Sequence, residues 1–396
     1  MRNFAPEAPV AIDLPDDLGF PRAALSRRHF LGTLGAAAGA LLSADLLAAC
    51  GSAAPAASSS AAASASTVHH LKVSSSEVIW TDLGGAIRKA RQAAYFDQFT
   101  KEYGVPVSFA AGFSQAKFLA GTKAGTPPTD SFDATARFVI SLTDKGLAQK
   151  LPSSVNRSRA VTPAKYRDYC GGGYAYSLGM TYKENAFSGT QPKRWKDFFD
   201  LAKFPGRRAL PKYSGSEQYA VEVALLADGV PRDKLFPLDI DRAINKLHSI
   251  KDSILFFDSF GQANQFVTQG AASIVMNTNA RVHALNVEGA ALTYVYDEAL
   301  LFSWSGFPVP VGAPHADAMF ALIDLMDRPD RQAVFCKQLP YGPTNPDAFA
   351  DIDAATKKIL PNSPENLPKA VLDNPVAAAK QAEELSSKFM AFLAGG

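Results

Sequence analysis

Three cysteines, six histidines and a scatter of hydroxyls are the side chains that could make this chain an enzyme. The histidines (His29, His69, His70, His248, His283 and His315) have no spacing that would gather metal ligands on one face, so neither a metal nor a cofactor is expected. No Gly-x-Ser-x-Gly elbow and no phosphate-cradling glycine loop occurs. Ser114-Gln115-Ala116-Lys117 has the Ser-x-x-Lys spacing of an acyl-transfer serine, but the Ser-Asp-Asn and Lys-Thr-Gly elements that accompany such a serine are missing. What the chain offers instead is recognition chemistry. Ser214-Gly215-Ser216, just ahead of a helix, can present hydroxyls and backbone N–H groups to an anionic oxygen, or can simply cap the helix. Asn277, Asn279 and Arg281 gather at a strand-to-helix turn, where Arg281 can meet a carboxylate or phosphate of a ligand or acids elsewhere in the protein. Arg137, close after Asp133, carries the same two readings.

The N-terminus reads as an address. Ser26-Arg27-Arg28-His29-Phe30-Leu31 matches the twin-arginine export pattern, with Arg27 and Arg28 as the signal pair. The Gly- and Ala-rich stretch that follows is too short and too weakly apolar to remain as a membrane span. Leu47-Ala48-Ala49-Cys50 then resembles a bacterial lipobox, with small residues for the signal peptidase and a thiol, Cys50, to take the lipid. Asp45, just before it, is unusual for such a segment. Residues 1–49 are thus expected to be a signal peptide. Residues 50–68, nearly all Ser, Ala and Gly, are expected to be a tether that cannot bury a core. The protein is expected outside the cytoplasmic membrane, held to it by lipid.

About 350 residues remain, more than one core usually organises, so two lobes are expected. The net charge is only +2, with acids and bases interspersed, which disfavours nucleic acid and other polymers as partners. Cys170 and Cys336 can pair in an oxidising compartment or stay as two separate buried thiols. Strand-like and helix-like segments alternate, which points to an α/β fold. Strands are read at 78–80, 105–109, 132–134, 208–210 and 272–276. Helices are read at 86–103, with Ile87, Ala90 and Ala94 on one face, at 217–227, from Ile240 to Ile250 and at 316–326.

The order of several motifs resembles the bacterial extracellular solute-binding proteins, above all their spermidine/putrescine-type branch. The resemblance rests on Trp80-Thr81-Asp82-Leu83-Gly84-Gly85 after the first strand and on Glu102-Tyr103-Gly104-Val105-Pro106-Val107. It continues through Ser131-Phe132-Asp133, Lys145-Gly146-Leu147, Trp195-Lys196-Asp197-Phe198 and Phe204-Pro205-Gly206-Arg207. Its most distinctive pieces are Tyr341-Gly342-Pro343-Thr344-Asn345-Pro346 and Leu360-Pro361-Asn362-Ser363-Pro364-Glu365-Asn366. The family implies a two-lobed type II periplasmic-binding fold with crossing strands near 173–183 and 302–310. Lobe one would hold 70–172 plus 305–340, and lobe two 173–304 plus 341–396. It further implies a monomer, not an enzyme, that closes on a small solute and hands it to the permease subunits of an ABC importer.

Ligands in open α/β sheets lie at the carboxyl ends of strands, beside helix N-termini. With the resemblance, this marks Trp80, Thr81, Asp133, Arg137, Tyr174, Tyr213, Ser214, Ser216, Tyr219, Asn277, Arg281, Trp304 and Ser305 as ligand-binding candidates. In polyamine-binding members, carboxylates hold the ammonium groups and aromatic rings stack on the methylenes. Here Ser216, Tyr219 and Ser305 stand where carboxylates would, and Met276 replaces a tryptophan beside Asn277, so the carboxylate cage is missing unless Glu217 or Glu222 restores part of it. A polyamine-like amine is the first candidate, and hydroxyls, amides and arginine equally suit a neutral or anionic solute. The enzyme alternative takes Cys170, beside Gly171-Gly172-Gly173, as a cleft nucleophile with Glu217 as base.

Overall fold

A computed structural model describes residues 71–81, 84–110, 114–213 and 217–395. Arg27, Arg28, Cys50, Ser214 and Ser216 lie outside the described residues. No helix among those described is long and apolar enough to cross a membrane.

The strands fall into two groups. In the first, Val78–Thr81 pairs in parallel with Val107–Phe109 on one side and Ser131–Phe132 on the other. Beside that sheet, Ser305–Pro308 runs antiparallel to both Ala134–Thr135 and Cys170–Gly172. The second group is built around the ten-residue strand Tyr174–Lys183, buried at every position but the last. It pairs with Ile274–Thr278, Leu292–Tyr294, Leu300–Phe302 and Gly342–Pro343, and the sheet extends through Arg208–Pro211 to Ile254–Phe257. The chain therefore leaves the first group at Gly173, returns between Phe302 and Ser305, and leaves again at Tyr341. After Val371–Leu372, the Pro375–Lys380 helix packs back on the Ala136–Asp144 helix, whereas Ala382–Ala394 packs on Ile240–His248. The tail thus touches both groups.

Local chemistry fixes the helix starts that matter. The Thr135 hydroxyl accepts the N–H of Phe138 and Thr278 accepts that of Arg281, each cap being worth about 1 kcal/mol. The expected strand at 132–134 is broken at Asp133 into two short pieces, Ser131–Phe132 and Ala134–Thr135. The helix expected from 217 starts at Tyr219, and the one at 316–326 is as the apolar pattern predicts.

One glycine is required by packing. A Cβ on Gly342 would collide with the Asn362 side chain, which is buried and donates to the Pro343 carbonyl at 3.0 Å. Gly342→Ala is expected to lower stability by about 1–3 kcal/mol, the cost of overpacking. Urea unfolding of the variant beside wild type measures it; an unchanged midpoint would show that Asn362 can move aside.

Candidate functional site

The two groups of strands meet along a seam of tyrosines. Tyr174 and Tyr341 stack with ring centroids 4.2 Å apart, and Tyr176 and Phe302 stack at 4.7 Å. Tyr219 stands edge-on to Phe302 at 5.0 Å and to Tyr213 at 6.2 Å. Burial pushes the phenols of Tyr174, Tyr176, Tyr213, Tyr219 and Tyr341 up from their ordinary range, so all are neutral donors at physiological pH.

Charged groups sit between these rings. Asp133 accepts from the Arg91 guanidinium at 2.6 Å and from the Tyr174 hydroxyl at 2.5 Å. Arg91 is wholly buried, its guanidinium carbon 5.4 Å from the Trp80 ring centre and 5.8 Å from that of Tyr174. Arg137 pairs with Glu222 and with Asp373, both at 2.5 Å, and lies over Tyr219 and Phe302. Burial raises the Glu222 carboxyl, and the Arg137 charge opposes that rise. Glu217 accepts a short hydrogen bond from the Thr135 hydroxyl, and burial holds its carboxyl above the ordinary range. Arg281 lies 5.7 Å over the Phe260 ring, and its charge reaches both Tyr213 and Tyr341. Tyr213 also feels the Glu217 carboxylate, so Arg281 and Glu217 act on the same phenol with opposite sign. Neither forms an ion pair among the described residues.

Of the expected site residues, the structure gathers Asp133, Arg137, Tyr174, Tyr213, Tyr219 and Arg281 along this seam. Thr81 is buried at the end of its strand. The Ser305 hydroxyl accepts the Tyr174 N–H at 3.1 Å and so shapes the crossing strand. Trp80 is a core residue, packed on Phe96 and Phe307. Two further candidates make their contacts within the protein. Trp304 is buried in an apolar cluster with Phe118, Phe132 and Val139. Asn277 spends its amide inside the second sheet, donating to Asn264 at 2.9 Å and accepting from the Thr278 N–H. Its neighbour Asn279 bridges Ser177 and Pro340, tying the crossing strand to the chain before Tyr341.

Cys170 and Cys336 are both free, and they sit in separate apolar clusters, Cys170 with Trp304 and Cys336 with Ala348 and Leu360. Burial pushes the Cys170 thiol well above its ordinary range, the opposite of what a nucleophile needs.

The sequence reading passed over Arg91, Thr135, Phe302, Tyr341 and Asp373 as site residues. Arg91 did leave a signal: it falls on the 87, 90, 94 stripe, and a cation on a buried helix face requires a buried partner. Asp373, 236 residues from Arg137, left none.

A model of the bacterial extracellular solute-binding proteins matches residues 94–362. The chain is 28% identical over 331 residues to a γ-aminobutyric acid-binding protein of Pseudomonas aeruginosa, covering 82% of this chain and 92% of the relative. It is 22% identical over 305 residues to the spermidine/putrescine-binding periplasmic protein of Escherichia coli, covering 73% and 85%. Among solved structures, an ABC transporter substrate-binding protein of Bradyrhizobium japonicum is similar at a TM-score of 0.71, with 28% identity over 80% of this chain and 99% of that one. The chain has the two-lobed periplasmic-binding fold. The relatives are transport proteins, not enzymes. A tyrosine-lined seam between two α/β lobes and a family match over most of the folded part lead to one conclusion: the chain belongs to the bacterial extracellular solute-binding proteins, which serve ABC transporters.

Proposed function

We propose that this protein captures a small amino-acid-like zwitterion of the γ-aminobutyrate type and passes it unchanged to the permease subunits of its importer. The observation that carries the reading is the pair Arg281 and Glu217. They are opposite charges that both act on Tyr213, each without an ion-pair partner among the described residues. A carboxylate on Arg281 and an ammonium near Glu217 would compensate both, with tyrosine faces along the methylenes between them. The γ-aminobutyrate-binding relative supports this class over a polyamine, whose binding relative is more distant. Closure of lobe one (70–172 plus 305–340) on lobe two (173–304 plus 341–396) would bring the charges onto the solute, and solute contacts to both lobes would shift the balance toward the closed form. A twin-arginine signal at Arg27 and Arg28 would direct export, and after its removal a lipid on Cys50 would hold the domain at the membrane it serves.

Two measurements test this. Isothermal titration is expected to show saturable binding of 4-aminobutyrate and at least tenfold weaker binding of putrescine; tight putrescine binding with none of any amino acid would end the zwitterion reading. Native mass spectrometry of the protein purified from its host weighs the co-purified solute, and the same spectrum reports whether the chain begins at an acylated Cys50.

A further inference from the structure

We propose that Arg91 and Arg137 are built-in cations that fill two aromatic–carboxylate cages, and that Arg91 thereby sets the charge selectivity of the site against diamines. The inference rests on the location of the solute in the seam given above.

The ingredients for binding a dication are all present. Four carboxylates, Asp133, Glu217, Glu222 and Asp373, approach the seam. A desolvated ammonium needs such a carboxylate and gains further from a ring face. In this protein both kinds of partner are already taken. The Arg91 guanidinium meets Asp133 and lies among the rings of Trp80, Tyr174 and Phe307, 5.4, 5.8 and 5.7 Å from their centres. The Arg137 guanidinium meets Glu222 and Asp373 and lies 5.2 and 5.6 Å from Tyr219 and Phe302. Each is a cation held by acid and aromatic faces, as a ligand amine would be. Of the four, Glu217 alone forms no arginine ion pair among the described residues, which suits one ammonium and not two. Of the two cages, the Arg91 one is the more open to a solute, since Asp133 keeps 9% exposure while Glu222 and Asp373 keep 1% and 3%.

The test uses the full-chain protein with putrescine as probe, read by titration and by the rise in melting temperature that a ligand of the native state produces. Wild type and Arg91→Lys, which keeps the charge, are expected to bind putrescine weakly. Arg91→Gln bares Asp133 and is expected to gain at least tenfold in putrescine affinity; Arg91→Gln with Asp133→Asn is expected to lose that gain. Should Arg91→Gln not fold, Arg91→His makes the same comparison within one molecule, with the ring charged at pH 5 and neutral at pH 9, and putrescine bound better at the higher pH. No gain in the charge-neutral forms, or a gain that survives Asp133→Asn, overturns the proposal. Failure of wild type to bind 4-aminobutyrate sinks the zwitterion reading alone, because the Arg91 comparison never uses that ligand.

Discussion

Replacing Arg137 by methionine is expected to lower the free energy of unfolding by about 3–5 kcal/mol, the cost of stranding a buried charge by deleting its partner. Arg137, Glu222 and Asp373 are all nearly inaccessible, and the guanidinium donates to both carboxylates. Methionine keeps much of the volume against Tyr219 and Phe302 but none of the charge. Two acids then remain in an apolar wall with nothing opposite them. Guanidinium-chloride unfolding at pH 7 measures the loss, and a loss under 1 kcal/mol would mean that water reaches the cluster in solution.

The same variant has a pH signature whose sign follows from Glu222. Its carboxyl in the folded protein lies above the ordinary value of 4.5 because of burial, and Arg137 holds the rise in check. A group raised in the folded state favours folding most below its unfolded pKa, and that advantage is lost as the pH climbs through the folded value. Without Arg137 the folded value climbs further, so the deficit of the variant is expected to be smaller at pH 5 than at pH 8. Adding Glu222→Gln to Arg137→Met should restore part of the stability, since the two changes remove partners of one network and cannot be additive.

The sequence displayed the frame of this protein and concealed most of its wiring. Apolar spacing marked the 316–326 helix because eight of its eleven residues are buried and leave a pattern that needs no partner to be read. The crossing strands were legible only through the family resemblance, because a segment such as Tyr174–Lys183, buried on both faces, has no alternation. The charges were half legible. Arg91, Arg137 and Glu222 each interrupt an apolar helix face, and each proved to be an ion-pair member. Which acid meets which base is set by pairs 42, 85 and 236 residues apart, and local patterning carries no trace of such distances. The facing of Trp304 and Asn277 was not legible for a related reason. A tryptophan and an asparagine near a cleft strand can face either side of it, and a one-residue change of register inverts the choice.

Arg281→Gln is expected to weaken binding of the amino-acid solute roughly 10- to 150-fold, the 1.5–3 kcal/mol of a hydrogen bond to a charged group, while leaving unfolding unchanged within about 0.5 kcal/mol. The contrast with Arg137 lies in what each guanidinium already holds. Arg137 faces two carboxylates of the protein. Arg281 forms no ion pair among the described residues, is only half-buried, and rests over Phe260 with its charge reaching Tyr213 and Tyr341. A cation that the fold does not need, beside rings that line the seam, is available to a ligand anion. If it receives the solute carboxylate, the loss should appear for 4-aminobutyrate and be absent for an amine of the same length without the acid, such as butylamine, whose binding should be weak in both proteins. Titration of wild type and variant with the two ligands decides it. Equal affinity of both proteins for 4-aminobutyrate would place the carboxylate elsewhere, and a large drop in stability would mean that Arg281 serves the fold after all.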